Sequence, residues 1–310
     1  MPPDAPTRKE LRAAAVLTAE DHGGVLTLRR LRGLGYDHRA VAREVTADRW
    51  SRHGRPTVAL HTAELSEQAR RWRAVWEVAE RAALLDGVSA LQPAGLTGFT
   101  EDVVHVSVPR NARCPAVHGV RVHRVTRTAR ERLGDGLPRT RVEVAAVRAA
   151  HWAVSDRQAA LILCLVVQQR LTTGERLLAA TSTVTGRSRR AFVRQVVRDV
   201  ADGAHSLGEL DFGRLCRATG IPAPDRQVVR TTASGRIYLD ARWAGSRLVV
   251  EIDGAGHRSG LAVTDDNLRQ NAVALGDDRV LRIDLVGLRL ERTAFMAQVR
   301  QGLAAGGGCV

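Results

Sequence analysis

The chain has 310 residues, 44% hydrophobic and 26% charged, which is ordinary for a globular protein and long enough for two or three domains. No apolar run approaches the length of a membrane span and no apolar leader follows Met1-Pro-Pro-Asp4, so a cytoplasmic location with no membrane partner is expected. A formal net charge of +14 favours an anionic partner, nucleic acid first.

Lys9 is the only lysine among the 47 Lys and Arg residues, a bias that a GC-rich coding sequence also produces; the charge therefore points to phosphate contacts and not to sequence specificity. Cys114, Cys164, Cys216 and Cys309 are far apart and lack C-x-x-C spacing, so neither a zinc site nor a disulfide framework is expected. No G-x-G-x-x-G, G-x-x-x-x-G-K-[ST] or G-x-S-x-G occurs, which argues against a nucleotide cofactor or a serine hydrolase.

Residues 1–7 carry three prolines and read as a frayed tail. From Thr7 the apolar positions recur with helical period until His22-Gly23-Gly24. Thr27 can cap a helix from Leu28 to Leu34, and Asp37 another from His38 to Ala47. Three short helices with Gly35 in the last turn make a helix-turn-helix, and Arg49 to Leu60 then reads as two short strands around Gly54, a wing. The helix from Asp37 would enter a major groove, with His38, Arg39 and Ala42 near base edges and Arg43 and Arg49 on phosphates; Arg29, Arg30 and Arg52 complete the expected DNA-contact set. A solvated basic face, or a winged helix that binds protein, is the competing reading.

Gly23-Gly24-Val25, Leu28 to Leu31, Leu34-Gly35, Asp37 to Val45 and the basic wing together resemble the amino-terminal domain of AbiEi-type antitoxins. Thr57-Val58-Ala59 departs from the Gly-Val-Tyr with which that family closes its wing. Val104 to Pro109 and Val120 to Arg124 are similar to the family's middle region. The resemblance implies double-stranded DNA, and a cognate toxin protein, as partners.

Glu64 to Leu85 reads as one helix with Trp72 and Trp76 on its apolar stripe, as core or as a stacking platform. Alternating strands follow at Asp102 to Val108 and Gly119 to Arg124; His105, His118 and His123 read as exposed strand histidines or as a metal cluster. Residues 125–140 read as a linker or exposed loop, and residues 142–201 as an all-helical connector. Its Arg187 to Arg190 run is a phosphate contact or a solvated helix start.

The most informative stretch runs from Arg236 to His257. Two runs rich in β-branched and aromatic residues flank a Gly/Ser turn, as in an antiparallel hairpin. Asp240, Glu251 and Asp253 sit in these strands although strands usually exclude acids. Period-2 alternation puts Glu251 and Asp253 on one face, and either a two-residue or a four-residue loop adds Asp240 to it; only the four-residue loop sets Asp240 directly opposite Glu251. Three carboxylates would then converge, repelling one another unless a cation lies between them, and an oxygen-only set suits Mg²⁺ or Mn²⁺. Alternatively, Asp253-Gly254 is a strand-ending turn and Glu251 lies on a solvated edge strand.

The pattern D-x10-E-x-D-G-x2-H resembles the core of the PD-(D/E)XK nuclease superfamily, and is most similar to its very-short-patch-repair-like branch, the domain of unknown function 559. Ser206 to Asp211 and Gly220 to Gln227 upstream, and Asp266-Asn-Leu-Arg269-Gln-Asn271 and Arg279 to Arg282 downstream, extend the similarity over about residues 204–303. It implies that Asp240 and Glu251 hold a metal, that His257 is a general acid or base, that Glu209 is the first-helix acid, and that Asp253 stands where the superfamily has its lysine. Asp266 and Arg269, at i and i+3, share one face of a predicted helix, so Arg269 is expected to brace the site acids or hold the scissile phosphate.

The expected fold class is therefore multidomain α+β. A winged helix occupies residues 1–62, a mixed and helical middle 63–203 and a restriction-endonuclease-like α/β domain 204–303, before a disordered tail at 304–310. The expected function is that of a DNA-binding protein with a Mg²⁺-dependent endonuclease domain; the alternative is a non-catalytic regulator or antitoxin with a degenerate nuclease fold.

Overall fold

The computed structural model describes residues 7–126, 131–133, 136–184, 186, 188–201, 210–231, 237–253, 264, 267–268, 270–271 and 280–306. The chain is mixed α/β with several small sheets, and it divides into two units, one of residues 1–93 and 100–141, the other of residues 94–99 and 142–310.

In the first unit, α1 (Arg8–Glu20) opens with a reciprocal Thr7/Glu10 capping box. β1 (Val25–Thr27), β2 (Ser51–His53) and β3 (Thr57–Ala59) form an antiparallel sheet in the order β1-β3-β2. Between them α2 (Leu28–Gly33) is capped by the Thr27 hydroxyl and α3 (His38–Thr46) by the Asp37 carboxylate, which accepts the Ala40 amide at 2.6 Å, as the sequence predicts. Leu26, Leu31, Val41, Trp50 and Val58 close a small core beneath.

α4 (Glu67–Ala79) is shorter than the predicted 64–85 helix. Ser66 caps its start, and Leu84–Leu85 leaves helical geometry to form β4, because both residues pair with Val106 and Ser107 of β5 (Val104–Pro109). Trp72 and Trp76 are buried and pack on each other and on the His22 ring, so they are core. A short α5 (Val88–Leu91) precedes β5, and β6 (Val120–Val125) pairs parallel with it. The expected exposed loop around 125–140 is packed in part: Thr140 is buried and its amide donates to the Leu85 carbonyl, while the Leu85 amide donates to the Pro138 carbonyl, so this segment extends the sheet at β4.

The second unit begins with α6 (Val142–Trp152), α7 (Asp156–Gln168), α8 (Gly174–Thr183) and α9 (Arg190–Ala201), which pack on one another through Ala, Val and Leu side chains. Of the Arg187 to Arg190 run, Arg187 lies outside the described residues, and Arg189 is bound by the Asp156 carboxylate at 2.7 Å.

After these helices come α10 (Phe212–Ala218), β7 (Arg226–Thr231), β8 (Ile237–Trp243), β9 (Leu248–Asp253), β10 (Val280–Asp284), α11 (Leu285–Leu290) and α12 (Arg292–Ala305). Ser206 to Glu209, where the resemblance places the first helix, lie outside the described residues; the helix described there starts from Asp211, whose carboxylate accepts the Arg214 amide. Strand order is β10-β9-β8-β7, with β10 parallel to β9 and the other pairs antiparallel. Glu251 is therefore on a central strand, not a solvated edge.

One face of this sheet, carrying Leu239, Ala241, Trp243, Leu248, Val250, Ile252, Leu281 and Ile283, is buried against Phe212 and Cys216 of α10, Leu285 and Leu288 of α11, and Phe295 and Val299 of α12. At about 25 cal/mol per Å² this apolar layer is the main force fixing strand register, since a one-residue slip would turn every one of these side chains outward. The polar residues are left on the opposite face.

Candidate functional site

The loop between β8 and β9 is the four-residue one, Ala244 to Arg247, with Arg247 at φ +52°. Trp243 pairs with Leu248 and Asp240 with Glu251. The parallel strand β10 adds Arg282 next to Glu251 and Asp284 next to Asp253, and β8 sets Tyr238 against Asp253. Two rows cross the polar face: Asp240, Glu251 and Arg282 in one, Tyr238, Asp253 and Asp284 in the next. Paired residues in adjacent strands share a face, so all six side chains project from the same side.

Asp253 shares that face but not the row of Asp240 and Glu251. Two residues along a strand is about 7 Å, so the three acids do not meet at a point as expected. Among the described residues no group of three His, Cys, Asp or Glu is placed to hold a metal ion. What does meet is the Asp240/Glu251 pair, half-buried, with Asp240 Oδ1 closed off from solvent and the Arg282 Nε 3.5 Å from Glu251 Oε2. Arg282 is 54% exposed and Glu251 20%.

Asp284 was not foreseen. It ends β10 and caps α11, accepting the Gly287 amide at 2.6 Å and the Thr264 hydroxyl at 3.0 Å. Burial first, and the nearby Asp253 charge last, push its pKa above the ordinary carboxylate range against these hydrogen bonds. The signal in the sequence was Arg282-Ile283-Asp284, whose alternation copies Glu251-Ile252-Asp253; only the parallel pairing turns it into a shared face. Asn271 fixes that pairing from outside: its side-chain amide donates to the Arg282 carbonyl at 2.8 Å and its oxygen accepts the Arg282 amide at 2.9 Å, occupying the open edge of β10. Glu209, His257, Asp266 and Arg269 lie outside the described residues.

The residues expected to contact DNA fall into two groups in the first unit. His38, Arg39 and Arg43 are exposed along α3, and Arg52 is exposed on β2. The others have protein partners. Arg49 Nε binds Glu44 at 2.7 Å, a carboxylate it shares with Arg12; the Arg30 guanidinium lies 5.2 Å from the Trp76 ring centre; Arg29 is 4.0 Å from Glu80. The two bonds hold the Glu44 carboxyl below its usual range, with Arg49 the larger cause.

The predicted exposed histidines are corrected at one position. His105 is buried, its Nε2 3.3 Å from Glu101 and its Nδ1 3.1 Å from His123 Nε2, because β5 is the central strand of its sheet. Burial lowers its pKa to about 4.

Among the described residues no helix is long and apolar enough to cross a membrane. No protein-family model matches the chain, and no curated protein matches it. Among solved structures, the chain is similar to that of the RV2827C protein from Mycobacterium tuberculosis, at 20% identity and a TM-score of 0.39, over 65% of this chain and 80% of that one.

Proposed function

We propose that the protein is a Mg²⁺-dependent DNA endonuclease in which an amino-terminal winged helix binds duplex DNA and a PD-(D/E)XK-like domain hydrolyses a phosphodiester. The observation that carries this reading is the direct opposition of Asp240 and Glu251 on neighbouring strands, with Asp253 one row away on the same face. Opposed carboxylates in the middle of a sheet repel, and a fold keeps them where a cation is to be held. The order α10, β7, β8, β9, β10, α11, α12, with β10 parallel to β9, supports the resemblance in part: α11 is additional to it, and most of the helix it places between β9 and β10 lies outside the described residues.

The donor set fits the metal. Two carboxylates suit Mg²⁺ or Mn²⁺, which complete their shell with water and substrate phosphate. When bound, the ion polarises the phosphodiester and lowers the pKa of a water. Asp240 and Glu251 hold it; Asp253 accepts a proton from the attacking water; His257, by resemblance, protonates the departing oxygen as the phosphorus–oxygen bond breaks. Glu209 is assigned a supporting position on the same basis. In the amino-terminal unit His38, Arg39, Arg43 and Arg52 offer groove and phosphate contacts, and salt-dependent affinity follows. Location in the cytoplasm agrees with that substrate.

A second reading has its own observation. The Arg282 ion pair already offsets one charge of the carboxylate pair, and no lysine stands two residues after Glu251. On that reading the protein is a DNA-binding regulator or antitoxin, with a toxin protein as partner. Supercoiled plasmid with Mg²⁺ or Mn²⁺, incubated with wild type and with an Asp240→Ala/Glu251→Ala double variant, separates the two. Nicking by wild type alone is expected; equal inactivity with retained plasmid binding leaves the regulator.

A further inference from the structure

Resting on the nuclease reading, we infer that Arg282 supplies the cation of the hydrolytic site, donating to a non-bridging oxygen of the scissile phosphate from the strand on the far side of Glu251. The position two residues after Glu251 on the same face is a further acid, Asp253, so β9 itself presents no cation beside Glu251. The sheet supplies a cation from elsewhere. β10 runs parallel to β9 in register, Arg282 faces Glu251, and its Nε lies 3.5 Å from Glu251 Oε2.

Three observations distinguish this arginine from a structural one. It is more than half exposed and lies on the polar face, opposite the buried core. Its contact with Glu251 is a single long one, through Nε, so the planar fork is not engaged as a bidentate pair and its outer N–H groups can take an anion. And its backbone N–H and C=O are both held, on the open edge of β10, by the Asn271 side chain, whose amide nitrogen also meets Gln298 Oε1 at 3.1 Å. A flexible cation on an edge strand would contribute little; here the main chain beneath it is fixed, as a site residue requires. Asn271 is on this view a positioning residue.

The arrangement makes two effects of opposite sign. Next to a divalent ion at Asp240 and Glu251, the guanidinium is a like charge and weakens cation binding. Next to the phosphate, it offsets the charge that grows on the non-bridging oxygens as the water attacks. A merely structural strut would show neither effect, or would lose both functions together as the fold loosened.

The test uses the full chain as wild type, R282Q, R282K and the D240N/E251Q double variant, each with its far-ultraviolet circular dichroism recorded. Mn²⁺ affinity is read from the electron paramagnetic resonance signal of the free ion, and cleavage of a duplex is followed at saturating Mn²⁺. R282Q is expected to bind Mn²⁺ about three- to tenfold more tightly and to cleave at least ~100-fold more slowly with little change in KM. R282K is expected to recover at least about tenfold of that rate, since a point charge serves in part. R282Q that matches wild type in both readings, or loses both, overturns the inference and leaves the metal site standing. Wild type that binds Mn²⁺ no better than D240N/E251Q, or binds it without cleaving, removes the nuclease reading and this inference with it.

Discussion

Two acids of the second unit each face an arginine, Asp199 on α9 and Glu251 on β9, in different settings. Asp199 is fully buried; it takes both Nε and Nη2 of Arg289, the latter at 3.1 Å, and accepts a third bond from Gln195 at 3.1 Å. Glu251 is one-fifth exposed, lies 3.5 Å from the Arg282 Nε, and has another carboxylate across the strand. A charge taken out of water persists when it is paired and hydrogen-bonded, and Asp199 meets that condition with three donors, joining α9 to α11. The Asp240/Glu251 pair instead sets two acids opposite each other, half-buried, with the Arg282 guanidinium beside one of them. The same two arginine and acid residue types thus make scaffold in one place and a candidate site in the other, and the difference lies in closure, not composition.

The contrast is broken most severely at Arg289. Arg289→Ala leaves Asp199 buried with Gln195 alone, and the expected cost is about 3–5 kcal/mol, read from the urea midpoint. A loss under 1 kcal/mol would show that Asp199 does not depend on its partner.

His105 sharpens the comparison by showing a third way to bury a titratable group, which is to keep it uncharged. Burial, ahead of the Arg121 charge, depresses it to about 4, with Glu101 and His123 at its two ring nitrogens. The unfolded chain takes up a proton near 6.5 and the folded one does not, so stability falls as pH drops below 6.5 and continues to fall until about 4. Over that window the wild type is expected to lose ~2 kcal/mol that a His105→Gln variant keeps, measured as the difference in slope of stability against pH. Parallel slopes would place the titration elsewhere.

Asn271 comes next in size. Asn271→Ala exposes both Arg282 backbone groups on the edge of β10, for an expected cost of about 1–3 kcal/mol and faster hydrogen exchange at the Arg282 amide. Unchanged exchange at that amide would mean that β10 is held by its partner strand alone.

How far these regions could be read beforehand follows from the range of the interactions. Thr27 and Asp37 act on amides three residues away, and both caps were legible. The Asp240 and Glu251 face was legible too, because alternation needs no tertiary information, although the turn left two loop lengths open. The second half of the site was not. Arg282 and Asp284 reach Glu251 and Asp253 only through a parallel crossover from 253 to 280, and nothing local in Arg282-Ile283-Asp284 names its partner strand. Leu84 and Leu85 fail in the same manner: their helical period runs on from α4, and pairing with β5 overrides it. His105 was misread because exposure in a strand depends on which neighbours flank it.

The smallest effect is the most discriminating. Asn at position 240 keeps the shape of Asp but removes one of two like charges set opposite each other, so without divalent ions Asp240→Asn is expected to stabilise the fold by about 0.5 kcal/mol. Adding Mg²⁺ should reverse the order. A ligand that binds only the folded state stabilises it by RT ln(1 + [L]/Kd), about 2.7 kcal/mol at a hundredfold excess over Kd, and the variant has lost half the pair that binds. Thermal melts of both proteins with and without Mg²⁺ therefore give curves that cross for a cation site. Curves that stay apart, with Asp240→Asn lower throughout, would place Asp240 with Asp199 as an acid of the scaffold.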